Sequence, residues 1–164
     1  AHECTEHAKQ VVIYLQEAEK ALEKVRPLKE REASPRWRAN FDLIYAQVLG
    51  YQVRWFEYGA YIDAFRQQPK PIKNALGPSR PTNAWALAFR KETITDNING
   101  DRREQSEELL RQVIREHAGT PYAVRAQWEL GRPFGVTLNE HHTPPPAVNV
   151  PGRPGIKPPT PPKL

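Results

Sequence analysis

The first residues of the chain combine side chains that commonly bind metal ions. His2, Cys4 and His7 follow one another closely, and imidazole and thiolate are good ligands for zinc or copper. Their spacing matches no strong zinc-finger pattern, and nothing in the sequence places His141, His142 or a carboxylate nearby as a fourth ligand. Cys4 also falls in register with an apolar helical face, where a thiol behaves as a small hydrophobe. We therefore predict no metal site, and keep a small metal-binding or sensor domain as an alternative.

Sequence signatures of catalysis are missing from the chain. It contains no nucleophile elbow, phosphate loop, HExxH pair or dinucleotide fingerprint. Carboxylates are plentiful, but none lies on an apolar background of the kind that shifts a pKa. We therefore predict a protein that is not an enzyme, with no catalytic residues and no cofactor.

Aromatic side chains are concentrated in one segment and could line a ligand groove, because tyrosine and tryptophan combine a large contact area with a polar tip. They are Trp37, Tyr45, Tyr51, Trp55, Tyr58, Tyr61 and Phe65. Apolar residues recur there at alternating steps of four and three, which places them on one face of a helix. We interpret this face as helix core, and expect Tyr61 to be exposed because it continues a polar stripe through Gln47 and Arg54.

The chain carries a net charge of +5, which would suit a nucleic acid or a membrane surface as partner. Three of the positive charges, Arg153, Lys157 and Lys163, lie near the C-terminus, so the remainder carries only +2. No apolar run approaches the ~20 residues that cross a bilayer, so we predict no membrane span.

A basic strip could nevertheless bind phosphates. It comprises Arg36, Arg38, Arg54, Arg66, Lys70 and Lys73. Asp42, Glu57 and Asp63 are mixed among these residues, so we interpret the strip as an ordinary solvated helix surface. A basic nucleic-acid-associated helical domain remains an alternative.

Two long amphipathic helices are predicted in the first part of the chain. Pro27 disfavours helical geometry at the preceding residue, so we expect the first helix to stop or kink there, or to gain an extra turn through Glu32. Ser34-Pro35 supplies an N-cap and a proline at the first helical position, and prolines end the second helix after about Gln68. The short connection predicts an antiparallel hairpin.

Three shorter helices are predicted downstream, and no strand pattern is recognised. The first begins after Thr82 or Asn83, carries Trp85, Leu87 and Phe89, and fades near 97–100. The second begins at Asp101, where Glu104 completes a pattern like a capping box, and the third extends from Thr120-Pro121 to Gly131. The fold class is therefore an all-α domain of about five helices.

The C-terminal segment is dominated by proline. Residues 143–164 contain almost no large apolar side chains, so burial cannot offset the entropy of ordering them. We predict a helical domain over 1–142 and a disordered proline-rich tail over 143–164. A PxxP motif followed by Lys163 has the form that SH3-type grooves bind, but we interpret this segment first as a linker.

The segment Ser106–Gly131 resembles a tetratricopeptide-type helical hairpin of bacterial cell-envelope proteins. It has a helix, a short turn, a Thr-Pro-Tyr-Ala start and a further alanine three residues on. The resemblance implies that Ala123 and Ala126 are the small positions where the two helices touch. Stable arrays stack three or more repeats, so the long hairpin would have to act as the neighbour of this single unit.

The order of the elements resembles the C-terminal helical region of bacterial proteins that carry a von Willebrand factor A domain upstream. The shared features are the long hairpin, the Arg36-Trp37-Arg38 entry to its second helix, the repeat-like hairpin and the proline-rich tail. The chain begins at Ala1 and contains no methionine, so we expect a fragment or a processed product. The resemblance implies a non-catalytic part of a larger protein, and the metal-dependent adhesion site of A domains has no counterpart here.

We conclude from the sequence that the chain is a non-catalytic protein-interaction or scaffold module. A single repeat-like hairpin leaves one face without a stacking neighbour, so we expect a protein partner, or a second copy of the chain, to bind there. The predicted partner-binding residues are Tyr61, Tyr122 and Trp128.

Overall fold

The computed structural model of the chain describes residues 2–73 and 82–144, with the side chain of His2 excluded. In order, these residues form α1 (His2–Arg31), α2 (Pro35–Gln67), β1 (Ala84–Arg90), α3 (Asp96–Glu116), α4 (Pro121–Leu130) and β2 (Gly135–His141). The predicted mostly helical fold is confirmed. Among the described residues there are four helices and a two-stranded antiparallel sheet rather than five helices.

The first two helices pack along each other as a long hairpin, and α1 continues through Pro27 to Arg31. The extra turn left open by the sequence is therefore present. Proline removes one backbone hydrogen bond, but Lys29 Nζ lies 2.6 Å from Asp42 Oδ1 of α2 and anchors the last turn. None of the described helices combines the length and apolar character that a membrane span requires.

The predicted bounds of α2 are confirmed, since it begins at Pro35 and ends at Gln67. The predicted cap is wrong, because the Ser34 hydroxyl makes no capping hydrogen bond within the described structure. Instead, the Ser34 backbone N–H donates to Glu32 Oε1 at 2.8 Å.

The prediction that the aromatic face forms the core is only partly correct. Tyr45 is buried, but Trp37 is 64% exposed and Trp55 is half-buried. Helices pack closest where side chains are small, and the buried positions of α2 are mostly small or aliphatic. They include Ala39, Leu43, Ala46, Leu49 and Val53. The larger rings therefore lie at the margins of the contacts.

The helix predicted from about residue 83 to about residue 97 is wrong, because Ala84–Arg90 form strand β1 and the next helix begins only at Asp96. The side chains of β1 alternate between alanine and the larger Trp85, Leu87 and Phe89, which is the period of a strand. The pairing partner lies far downstream, with Leu87 opposite Leu138 and Phe89 opposite Val136. Strand formation depends on such cross-strand neighbours more than on local preference.

The start predicted for α3 at Asp101 is also wrong, since the helix begins at Asp96. The reason is a cap supplied by another helix. The Glu57 carboxylate, fully buried on α2, accepts hydrogen bonds from Ile94 N (2.7 Å), Thr95 N (3.1 Å) and Thr95 Oγ1 (2.7 Å). This buried acceptor satisfies backbone donors at the beginning of the helix.

Local signals predicted α4 correctly. Gly119 has φ 77°, Thr120 Oγ1 accepts from Ala123 N at 3.3 Å, and the helix ends at Leu130 before Gly131. The core where α2, α3 and α4 meet comprises Leu43, Ala46, Leu110, Val113 and Ala126.

The predicted proline-rich tail lies mostly outside the described residues, which include its first two residues, Thr143 and Pro144. The segment between α2 and β1 is described over residues 68–73 and 82–83. The Asn83 side chain holds Thr143 just beyond the end of β2: the Thr143 N–H donates to Asn83 Oδ1 at 2.8 Å and its carbonyl accepts from Asn83 Nδ2 at 2.9 Å.

Candidate protein-binding groove

An open groove lies between α2 and the two-stranded sheet. Its cavity measures about 420 Å³. The lining residues are Tyr51, Arg54, Trp55 and Tyr58 of α2, Leu87 and Phe89 of β1, and Arg132 and Val136. We call this the aromatic groove. Cavities of this size accommodate a few side chains of a bound peptide.

The sheet side of the aromatic groove exposes large apolar side chains. Leu87 is 47% exposed and Phe89 is 53% exposed, whereas Val136, opposite Phe89, is buried. Directly paired residues of antiparallel strands lie on the same face of the sheet. Leu87, Phe89 and Val136 therefore form one apolar surface, and burying it against a partner would be favourable by about 25 cal/mol per Å².

A buried carboxylate positions the polar side of the aromatic groove. Glu129 of α4 is 1% exposed and accepts hydrogen bonds from Tyr51 Oη (2.6 Å), Gln47 Nε2 (2.9 Å) and Arg54 Nη1 (3.1 Å). Burial alone would raise the pKa of Glu129. The hydrogen bonds from Tyr51 and Gln47, together with the charges of Arg54 and Arg125, lower it by a larger amount, so the pKa lies below its ordinary value. Glu129 is therefore the ionised centre of the network.

This shift predicts an acid-sensitive contribution to stability. A carboxyl group whose pKa is lower in the folded state stabilises the fold above its ordinary pKa of 4.5, and that stabilisation is lost as pH falls through the folded value. We expect the free energy of unfolding to fall more steeply below pH 4.5 in the unsubstituted chain than in Glu129→Gln. Urea titrations at several pH values would measure this, and parallel slopes for the two proteins would contradict it.

Arg54 connects the same network to the turn that follows α4. Its Nη2 donates to the carbonyls of Glu129 (3.1 Å) and Arg132 (3.2 Å), and its Nε donates to the carbonyl of Pro133 (3.4 Å). The Glu129 carbonyl is in the last turn of α4 and also accepts from Arg132 N at 3.1 Å, whereas the Arg132 and Pro133 carbonyls lie in the turn that follows. The hydrogen bonds from Arg54 also fix the backbone of Arg132 beside the groove.

Arginine and aromatic side chains alternate along the rim of the aromatic groove. We call this set, which consists of Arg125, Trp128, Arg132 and Phe89, the arginine–tryptophan stack. Arg125 Cζ lies 4.2 Å from the centre of the Trp128 ring, and Arg132 Cζ lies 4.6 Å from it. Arg132 Cζ also lies 5.7 Å from the centre of the Phe89 ring. Trp128 is 51% exposed, so the stack is open to a partner. Tryptophan and arginine are enriched among the residues that dominate binding energies.

Positive charges outnumber negative charges around the arginine–tryptophan stack. The guanidinium groups of Arg54, Arg125 and Arg132 lie 3.1, 2.8 and 3.8 Å from Glu129 oxygens. One carboxylate formally balances one of these three charges, so the rim has a local positive excess. An acidic side chain of a partner would complement it.

The structure does not bring the three predicted partner-binding residues together. Trp128 lies in the stack. Tyr61 is half-buried, with its Oη 3.2 Å from Thr137 Oγ1 and accepting a hydrogen bond from Leu138 N at 3.3 Å. Tyr122 packs against the helical core and accepts from Arg36 Nε at 3.3 Å. Arg36 and Tyr61 are about 37 Å apart along α2, at a rise of about 1.5 Å per residue.

Sequence reasoning missed most of the aromatic groove. Leu87 and Phe89 were assigned to a helix, and Arg132 lies in a turn with no pattern of its own. A signal was available, since the alternation of alanine with larger residues over 84–89 has the period of a strand. Nothing local indicates that β2 supplies the partner.

The sequence also offered two alternative sites, the basic strip and the N-terminal histidine and cysteine residues. Arg54 is buried against Glu129, and Arg66 pairs with Asp63 at 2.7 Å, so these two are not free members of a phosphate-binding strip. At the N-terminus, Cys4 is exposed and the His7 ring is edge-on to Trp55 at 5.6 Å. The side chain of His2 lies outside the described structure.

The groove and its rim therefore form the candidate site on geometric grounds. When the chain is compared with protein-family models, with curated protein sequences and with solved structures, no match is found.

Proposed function

We propose that the chain is a non-catalytic protein-interaction module whose aromatic groove binds an acidic segment of a partner protein. The proposal rests on one observation: the exposed rings of Phe89 and Trp128 lie beside a group of three arginines that share a single carboxylate, that of Glu129. An apolar or aromatic side chain of the partner would bury Leu87 and Phe89, and a neighbouring carboxylate would bind Arg132. Such anchors and their positive rim are the features that give an interface both affinity and orientation.

The wider context of the module is also a proposal. We infer that it belongs to the C-terminal part of a larger bacterial protein with a von Willebrand factor A domain, and that α3 and α4 act as a tetratricopeptide-like hairpin. The supporting features are the mutual packing of α3 and α4 and the buried positions of Ala123 and Ala126. In this arrangement α2 serves as the stacking neighbour of the hairpin.

A displayed library of random peptides, selected on the immobilised 164-residue chain, tests the proposed function. We expect enriched peptides to combine an aromatic or large aliphatic residue with Asp or Glu. Fluorescence anisotropy with a synthesised peptide should then show that Phe89→Ala and Trp128→Ala each raise the Kd about tenfold. Tyr14→Ala is the matched control, because Tyr14 is 65% exposed on α1 and outside the groove.

Two results would contradict this function. One is a set of peptides whose affinity is the same for both groove variants and for the unsubstituted chain. The other is an absence of enriched peptides together with binding of a single-stranded oligonucleotide that weakens steeply with salt. The second result would favour the nucleic-acid-associated alternative.

A further inference from the structure

A second cluster of polar side chains lies where α1, α2 and α3 meet, away from the aromatic groove. Asp42 comes from α2, Glu116 is the last residue of α3, and His117 follows it. One ligand atom from each of the three lies within 4.8 Å of the others, and Asp42 Oδ2 is 3.7 Å from His117 Nε2. The sequence did not suggest this grouping, because Asp42 is far from the other two along the chain.

The imidazole of His117 has an unused ring nitrogen. Nε2 is buried and has no hydrogen-bond partner among the described residues. Buried polar atoms are nearly always hydrogen-bonded, so an exception suggests a missing ligand. The backbone of His117 is fixed, because its N–H donates to the Val113 carbonyl (3.0 Å) and its carbonyl accepts from Thr120 Oγ1 (2.6 Å).

We propose that Asp42, Glu116 and His117 bind a divalent transition-metal ion, with Zn²⁺ as the representative ion. One imidazole nitrogen and two carboxylate oxygens are a suitable ligand set for zinc, and three protein ligands leave a position for water. Ligand atoms of a tetrahedral zinc site are about 3.4 Å apart, given metal–ligand distances of about 2.1 Å. The 3.7 Å separation of Asp42 and His117 is already close to that value.

Two of the three proposed ligands are largely buried and the third is exposed, so an ion could reach the site from solvent. The Asp42 side chain is 9% exposed and that of His117 is 12% exposed, whereas Glu116 is exposed. Glu116 Oε1 accepts an exposed hydrogen bond from Gln112 Nε2 at 2.7 Å, so a shift of the Glu116 carboxylate towards the other two ligands would change this surface contact and not the core. Lys29 Nζ lies 2.6 Å from Asp42 Oδ1, which leaves Oδ2 of the same carboxylate facing His117. A bound ion would connect α2 to the end of α3.

Isothermal titration with Zn²⁺ at pH 7 tests the proposal, using the full chain in a buffer that does not bind metals. A Cys4→Ser background removes the exposed N-terminal thiol as a competing ligand. We expect one ion per chain with a micromolar Kd, at least tenfold weaker binding in Glu116→Gln, and loss of this binding in His117→Gln. His141→Gln and Glu108→Gln are the matched controls, since both positions are exposed and outside the cluster.

Two further readouts separate ligation from a structural effect. Nitrogen NMR of the imidazoles should show a Zn²⁺-dependent shift of His117 Nε2 in the folded protein. The melting temperature should rise by about 5–10 °C at a hundredfold excess of Zn²⁺ over its Kd, and Glu116→Gln should reduce this rise. Zn²⁺ binding that is unchanged in both Glu116→Gln and His117→Gln would overturn the proposal, as would no binding by the Cys4→Ser chain.

Discussion

Replacing Glu129 with alanine is expected to lower the free energy of unfolding by about 3–5 kcal/mol, the range for removing one partner of a buried ion pair. Arg54 is 8% exposed, and its Nη1 lies 3.1 Å from the Glu129 carboxylate. Without that carboxylate, the guanidinium group remains buried with less compensation. The Tyr51 hydroxyl also loses its 2.6 Å acceptor, which adds the cost of an unsatisfied polar group. Urea denaturation followed by circular dichroism measures the change.

A double substitution separates the ion pair from simple packing. In Arg54→Met with Glu129→Leu both charges are absent, so we expect part of the lost stability to return, because no buried charge is left unpaired. The return is incomplete because the carbonyls of Arg132 and Pro133 lose their Arg54 donors. Glu108→Ala is a matched surface control: Glu108 is paired with Arg115 at 2.9 Å but both side chains are about 60% exposed, so its effect should be below about 1 kcal/mol. An equally small effect of Glu129→Ala would contradict the proposed role of the network.

Replacing Glu57 with alanine is expected to cost about 2–6 kcal/mol and to loosen the first turn of α3. The substitution removes the acceptor of three hydrogen bonds, from Ile94 N, Thr95 N and Thr95 Oγ1. The two Thr95 donors are buried, and each costs about 1–3 kcal/mol when left without a partner, whereas the Ile94 N–H is only partly buried. The first five residues of α3 include Asn97 and Gly100, which have low helix propensity. Amide hydrogen exchange at Ile98 and Asn99, whose N–H groups donate to the Thr95 carbonyl, should therefore accelerate more than exchange in α4.

Glu57→Gln provides the control for charge. Its side-chain carbonyl retains one acceptor oxygen, so we expect a loss of stability intermediate between the unsubstituted chain and Glu57→Ala. If α3 keeps its protection from exchange in Glu57→Ala and the free energy of unfolding changes by less than about 1 kcal/mol, then Glu57 is not the cap that sets the start of this helix.

The aromatic groove and the Asp42 cluster respond to different substitutions, which allows the two proposals to be tested separately. Phe89 and Trp128 lie on the sheet and α4 side, whereas Glu116 and His117 end α3. We therefore expect Phe89→Ala to leave Zn²⁺ affinity unchanged and His117→Gln to leave peptide affinity unchanged. Failure of one proposal would not affect the other.

Local sequence signals were sufficient to predict the helices that begin and end at clear capping or helix-terminating residues. Ser34-Pro35 and the later prolines predicted the bounds of α2, and Thr120-Pro121 with Gly119 predicted those of α4. These signals work without a tertiary partner, because proline removes a donor, threonine supplies a cap and glycine adopts a positive φ at no steric cost.

Only the tertiary structure determined the remaining features, because their causes lie far apart in sequence. Strand β1 depends on pairing with Val136 and Leu138, and the start of α3 depends on the Glu57 carboxylate. The exposure of Trp37 depends on which side of α2 meets its neighbours, which a four–three spacing cannot specify. The aromatic groove and the Asp42 cluster likewise consist of residues brought together by packing. The sequence by itself therefore determined the helical framework, and packing decided which side chains line its sites.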